Sequence, residues 1–252
     1  MKNIGIVLSG GGARGAAHIG ALQALNENNI YPSHISGASA GALIGALYCA
    51  GHSPLEILEM AKSESFLKIF KIGFLNKGLT EMTRLKEFLK SKIPDNFNKL
   101  KTPLFVSVTN LNLGNFEIKS SGKLIDYVVA SCAVPLLFKP IKIEGYLYVD
   151  GGLLNNLPVE SLLNISDKII GISVSGHRIK EDIKGALQIT ERCLRLSVWN
   201  TIQERIKECD VFLDIDKDYT YSMFAFKNAD ELFNIGYETT IKNMDVILRA
   251  IQ

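Results

Sequence analysis

Ser39 is the residue of this sequence best suited to covalent chemistry. It lies in Gly37-Ala38-Ser39-Ala40-Gly41, the G-x-S-x-G spacing of a nucleophile elbow, within the run His34 to Leu43. A serine on a sharp strand-to-helix turn has a strained backbone, and small neighbours at Gly37 and Gly41 let the helix pass close to the strand. The turn pushes the hydroxyl outward. The N-terminus of the following helix adds partial positive charge that favours a developing alkoxide or oxyanion. The same residues also read as a helix start capped by Ser36 or Ser39, with glycine and alanine serving only close packing.

Gly10-Gly11-Gly12-Ala13-Arg14-Gly15 follows the apolar run Ile4 to Ser9 and precedes a helical pattern from Ala16 to Asn28, with Ile19, Leu22 and Leu25 on one side. A glycine-rich turn between strand and helix exposes backbone N–H groups to an anion. Gly10, Gly12 and Gly15 satisfy G-x-G-x-x-G, but a dinucleotide site expects an acidic residue where the second strand ends. That strand ends at Ser36-Gly37 without a carboxylate, and the Gly-Lys-Ser/Thr of a Walker loop is absent. The remaining reading is an oxyanion hole, in which each converging donor is worth ~3–4 kcal/mol. Arg14 either holds this loop, binds an anionic group or is exposed in the first turn. His18 reads as a packed histidine.

A third stretch, Asp150-Gly151-Gly152, ends the strand pattern Tyr146 to Val149. Its aspartate sits in a tight turn with the carboxylate off the sheet, although Asp-Gly is also among the commonest turn dipeptides.

The order and spacing of these three stretches, together with Ala130-Ser131-Cys132-Ala133-Val134-Pro135, closely resemble the patatin-like phospholipase family over about Ile4 to Val159. The third motif is Asp-Gly-Gly where many members have Asp-Gly-Ala. The resemblance implies a lipid acyl hydrolase of phospholipase A, lysophospholipase or carboxylesterase type, using a Ser–Asp dyad without histidine. It places the nucleophile on Ser39, the base on Asp150 and the oxyanion donors on Gly10, Gly11 and Gly12. Arg14, Gly15, Gly37, Gly41, Gly151 and Gly152 are the supporting motif positions. No metal or cofactor is expected, and the partner is a lipid or acyl-ester substrate.

The chemistry makes its own demands. A serine hydroxyl is a poor nucleophile without a base, and a free aspartate, with pKa ~3.9, is a weak one. Burial beside Tyr148, Val149 and Leu153 raises it. A Ser-His-Asp triad is the rival, since Ser39, Asp150 and His177 occur in the α/β-hydrolase order. That fold, however, usually places its serine after several strands, whereas Ser39 follows the second. A non-catalytic lipid- or acyl-binding protein on the same fold is the alternative from another class.

The elements that must position these residues read as a three-layer α/β/α domain over residues 1–252, with a mostly parallel central sheet. Ala40 to Ala50 is apolar all round, as a buried helix is. Hairpins are expected at Leu104–Asn110 with Phe116–Ser120, and at Ile141–Ile143 with Tyr146–Val149. Further along come a strand at Lys168–Val174, a helix from Asp182 to about Cys209 with Ile189, Cys193, Leu196 and Ile206 inward, and a strand at Val211–Ile215. One or two helices close the chain from Ala229 to Ile251. Trp199 reads as core. The segment Ser65 to Lys77 fits neither a clean helix nor a clean strand.

Composition excludes several classes. The 252 residues are 47% hydrophobic with net charge +2, which suggests no nucleic-acid partner. The four cysteines form no C-x-x-C pair, so zinc and redox readings are weak. The apolar run before Gly10 is short for a signal peptide, and no stretch approaches the ~20 apolar residues of a membrane helix. A cytoplasmic protein, or one peripheral to a membrane, is expected. Lys62 to Lys101 holds ten basic and four acidic residues, which suits contact with an anionic membrane surface or an ordinary segment with solvated lysines.

Overall fold

The apolar runs of the sequence become the strands of one mixed sheet. The computed structural model describes residues 2–71, 82–176, 182–215 and 221–252. Five strands are parallel: β1 (Ile4–Leu8), β2 (His34–Ala38), β3 (Leu104–Asn110), β7 (Lys168–Ser173) and β8 (Val211–Asp214), in the order β3-β2-β1-β7-β8. Three are antiparallel additions: β4 (Asn115–Lys119) and β6 (Tyr146–Asp150) pair with β3, and β5 (Ile141–Ile143) pairs with β6.

Strands covered on both faces need apolar residues at consecutive positions. In β1, Ile6 and Leu8 enter the larger core, while Val7 points into a smaller one with Leu157, Leu162, Ile169 and Ile202. Helices α1 (Ala16–Glu27), α2 (Ala40–Cys49), α3 (Pro54–Lys62), α6 (Leu124–Ser131), α8 (Ala229–Lys242) and α9 (Met244–Ile251) contribute to the larger core. The second half of α7 (Gly185–Ile206), with the turns after β6, covers the other face. The result is an α/β fold in three layers. Among the described residues, no helix is long and apolar enough to cross a membrane.

The register of β3 brings two distant parts of the chain together. β2 pairs with its lower half, Ala38 lying opposite Ser107, and β6 with its upper half, Asp150 lying opposite Val108. β4 pairs with β3 over Val106–Asn110, overlapping both partners. A strand has only two edges, so β2 and β6 must share one, head to head. The residue after β2 is therefore aimed at the last residue of β6.

Two expectations are corrected. Residues Glu64–Lys71 form a helix, α4, with Phe66 and Ile69 buried; its interleaved lysines mask a one-sided apolar stripe. Residues 72–81 of the expected irregular segment lie outside the described residues. In α7, Ile189 is 51% and Leu196 40% exposed and Cys193 is exposed. Only the following turns reach the sheet, where Ile202 is buried and Trp199 and Ile206 are partly covered. The helix from Thr83 to Lys90 is α5.

Candidate active site

Ser39 sits between β2 and α2 at φ 50°, ψ −119°, a conformation that L residues other than glycine rarely adopt. The surroundings enforce it. An ideal Cβ on Gly37 would lie 2.6 Å from the Gly41 carbonyl carbon, and one on Gly41 would overlap the Leu8 carbonyl. These two positions let α2 start directly against β1 and β2. Ser39 occupies the cap position of α2 but its side chain caps nothing. Its Oγ instead donates to Asp150 Oδ2 at 2.6 Å. Ser36, the other candidate cap, donates to Pro158 O. The capping reading is thereby set aside.

Asp150 is 7% exposed. Its other oxygen, Oδ1, accepts the Gly152 N–H at 2.8 Å, so each carboxylate oxygen has one donor. Burial raises its pKa to about 6, against the opposing pull of the Ser39 and Gly152 hydrogen bonds. At neutral pH the carboxylate is ionised yet more basic than a free aspartate.

The backbone of the elbow is held from α6. Ser131 Oγ accepts the Ser39 N–H at 2.8 Å and donates to Ser107 O at 2.7 Å. The Cys132 thiol reaches Ser39 O at 3.4 Å, and burial and the nearby Asp150 hold that thiol protonated.

The glycine loop lies alongside. Gly12 adopts φ 61°, and Arg14, itself buried, donates from Nε to Gly11 O at 3.1 Å. Arg14 thus holds the loop. The three expected donors are not equivalent. The Gly10 N–H donates to Asn156 Oδ1 at 3.1 Å and is already committed, and the Ala13 N–H donates to Met223 O. Among the described residues, the amides of Gly11 and Gly12 have no acceptor. His18 is fully buried, donating from Nε2 to Ser9 O at 2.8 Å; burial lowers its pKa to about 4 and keeps it neutral. It tethers the end of β1.

Ser39 opens into a cavity lined almost wholly by carbon and sulfur. Along α2 its wall runs through Leu43, Ile44 and Leu47, and α3, α4 and α5 contribute Ile57, Phe66 and Phe88. The eight helical rises from Ser39 to Leu47 span ~12 Å. Among the described residues, no group of three or more His, Cys, Asp or Glu side chains could hold a metal ion.

Ser39, Asp150, the glycine loop and Arg14 thus converge in space, while His177 lies outside the described residues. The sequence gives no role to Ser131 or Asn156. Ser131 stands inside Ala130–Pro135, a stretch shared with the family but without a residue-level role. Asn156 stands in Asn155-Asn156-Leu157-Pro158, which looks like an ordinary turn.

A family model described as patatin-like phospholipase matches residues 6–163. The chain is 30% identical over 250 residues to the neuropathy target esterase sws of Drosophila melanogaster, covering 94% of this chain and 17% of that protein. It is 35% identical over 170 residues to the same esterase of Drosophila sechellia, covering 62% and 11%. The chain therefore spans about a sixth or less of these relatives. VipD from Legionella pneumophila superposes with a TM-score of 0.55 at 15% identity, over 98% of this chain and 67% of that one. Human GIVD cytosolic phospholipase A2, in complex with methyl gamma-linolenyl fluorophosphonate, gives 0.51 at 13% identity, over 99% and 59%.

Proposed function

Because the chain belongs to the patatin-like phospholipase family, we propose that it hydrolyses carboxylic esters of lipid acyl chains through Ser39 and Asp150. The observation that carries this reading is the 2.6 Å hydrogen bond from Ser39 Oγ to Asp150 Oδ2, made by a strained serine at the mouth of an apolar cavity. The acyl chain lies along α2 with its carbonyl carbon beside Ser39. As Oγ attacks, its proton passes to Asp150, and the carbonyl oxygen becomes negative within reach of the Gly11 and Gly12 amides. Asp150 returns the proton to the departing alcohol, leaving an acyl-serine. A water entering the vacated alcohol site then gives its proton to Asp150 and its oxygen to the acyl carbon. The fatty acid leaves and Ser39 recovers its hydrogen.

An alkyl fluorophosphonate tests this directly. Stoichiometric phosphonylation of the Ser39 peptide, read by mass spectrometry and lost in Ser39→Ala, is expected. A folded wild-type protein that stays unlabelled would leave only the non-catalytic acyl-binding reading.

The cavity also predicts a chain-length effect. Leu47 lies two turns along α2 from Ser39, so Leu47→Trp fills the distal wall and leaves the reacting end untouched. The expected result is a fall of roughly tenfold or more in kcat/KM for a dodecanoyl nitrophenyl ester, with the butanoyl ester within about twofold of wild type.

A further inference from the structure

We propose that Asn156 is a positioning residue for this reaction: it locks the glycine loop to the aspartate turn and so presents the Gly11 and Gly12 amides to the acyl carbonyl at Ser39. The assignment rests on the hydrolase reading above. Three observations support it. Asn156 Oδ1 accepts the Gly10 N–H at 3.1 Å, which fixes the first peptide of the loop and leaves the Gly11 and Gly12 amides as its uncommitted donors. The same oxygen fills the space that a side chain on Gly10 or on Gly152 would need; a Cβ at those positions would also lie 3.0 Å from Ser39 Cβ and from Asp150 Oδ1, respectively. Asn156 is therefore wedged between the residues flanking both reacting groups. Finally, its own backbone N–H donates to Thr201 Oγ1 of α7 at 3.1 Å, which ties the wedge to the far layer of the fold.

The choice of amide over other acceptors has a chemical reason. Asn156 is 2% exposed and its Nδ2 has no partner among the described residues. A buried donor without a partner is unfavourable for folding, so stability alone does not explain an asparagine here. A carboxylate would accept the same hydrogen bond but would place a second negative charge beside Asp150, where like charges raise a carboxyl pKa. A neutral acceptor of this length leaves Asp150 ionised at neutral pH. Among the described residues, the polar and titratable groups around Asp150 include Ser39 at the start of α2, Thr109 of β3, whose hydroxyl donates to Asp150 O, the protonated Cys132 after α6 and the Gly152 amide of its own turn. On the α7 side Glu160, beside Asn155, is neutralised by Arg205 at 2.6 Å.

Two variants, assayed on a soluble short-chain nitrophenyl ester and with the fluorophosphonate probe, test the assignment. Asn156→Ala frees the Gly10 amide: kcat and the phosphonylation rate are expected to fall about 100-fold, with KM within about twofold. Asn156→Asp keeps the size and the acceptor: its acidic limb in kcat/KM against pH is expected to move up by about one pH unit or more. A general packing defect would lower thermal stability without moving that limb. Folded Asn156→Ala with kcat within threefold of wild type overturns the assignment, as does Asn156→Asp with an unmoved limb. If Asn156→Ala does not fold, the position of the Asn156→Asp limb alone upholds or overturns it. A wild-type enzyme that labels normally while these variants behave like it removes Asn156 only; a wild type that fails to label removes the hydrolase reading with it.

Discussion

Asp150→Asn is expected to reduce kcat on a soluble nitrophenyl ester about 1000-fold or more, at little cost in KM. General-base assistance is commonly worth 10²–10⁴-fold, and in this site the carboxylate is the group that receives the Ser39 hydrogen bond. Asparagine fits the same space and can still accept, but it cannot take the proton. In the wild type, kcat/KM should rise with pH through about 6, the value to which burial lifts Asp150, and then level off. At pH 5 it should be roughly a tenth of the plateau. The stability sign is opposite. A carboxylate raised from 3.8 to about 6 favours folding below pH 4, and that contribution is lost as pH rises through 6, a cost of about 3 kcal/mol by neutrality. Asp150→Asn should therefore be at least as stable as wild type at pH 8 while almost inactive. His177→Ala, assayed alongside, should retain activity within about threefold. Full activity in Asp150→Asn with loss in His177→Ala would reverse the assignment of the base.

Gly41→Ala is expected to damage stability and activity together. Its methyl would overlap the Leu8 carbonyl, a backbone atom of a central strand that cannot swing aside. Either α2 lifts from β1 or β1 distorts. Overpacking of this kind costs about 3 kcal/mol, which for a chain of this size lowers Tm by roughly 10 °C. Because Ser39 is two residues away, the lifted helix also pulls Oγ from Asp150. Calorimetry and ester hydrolysis should therefore both report the defect. A variant with wild-type Tm and turnover would show that the elbow is less tightly packed than its glycines indicate.

The residues of the candidate site were legible in the sequence because chemistry restricts residue type. Gly37 and Gly41 leave no room for a side chain, the serine between them stands out as a candidate nucleophile, and Asp150 stood out once its companions were seen. The alternating faces of β1 and the buried α2 were equally readable, since burial on all sides removes polar residues. Partnership across the chain was not. Nothing in Asn155-Asn156 announces a hydrogen bond to Gly10, 146 residues away, and Ser131 looks like any small helical residue until it bridges Ser39 and Ser107. The helix at Glu64–Lys71 was hidden because its apolar side and its lysines alternate over barely two turns. In α7, apolar residues at helical spacing suggested a buried face along its length, but the sheet extends beneath only part of it.

The placing of Ser39 and Asp150 beside adjoining rungs of one strand has a mechanical consequence. When the sheet bows or breathes, Ser107 and Val108 of β3 move as neighbours and carry Ser39 and Asp150 with them. The spacing that matters to a tenth of a nanometre is thus insulated from large-scale motion. Part of the opposite wall of the cavity, on α3, α4 and α5, is anchored elsewhere. On the hydrolase reading proposed above, differences in acyl-tail girth would be met by that wall rather than by the Ser39–Asp150 pair.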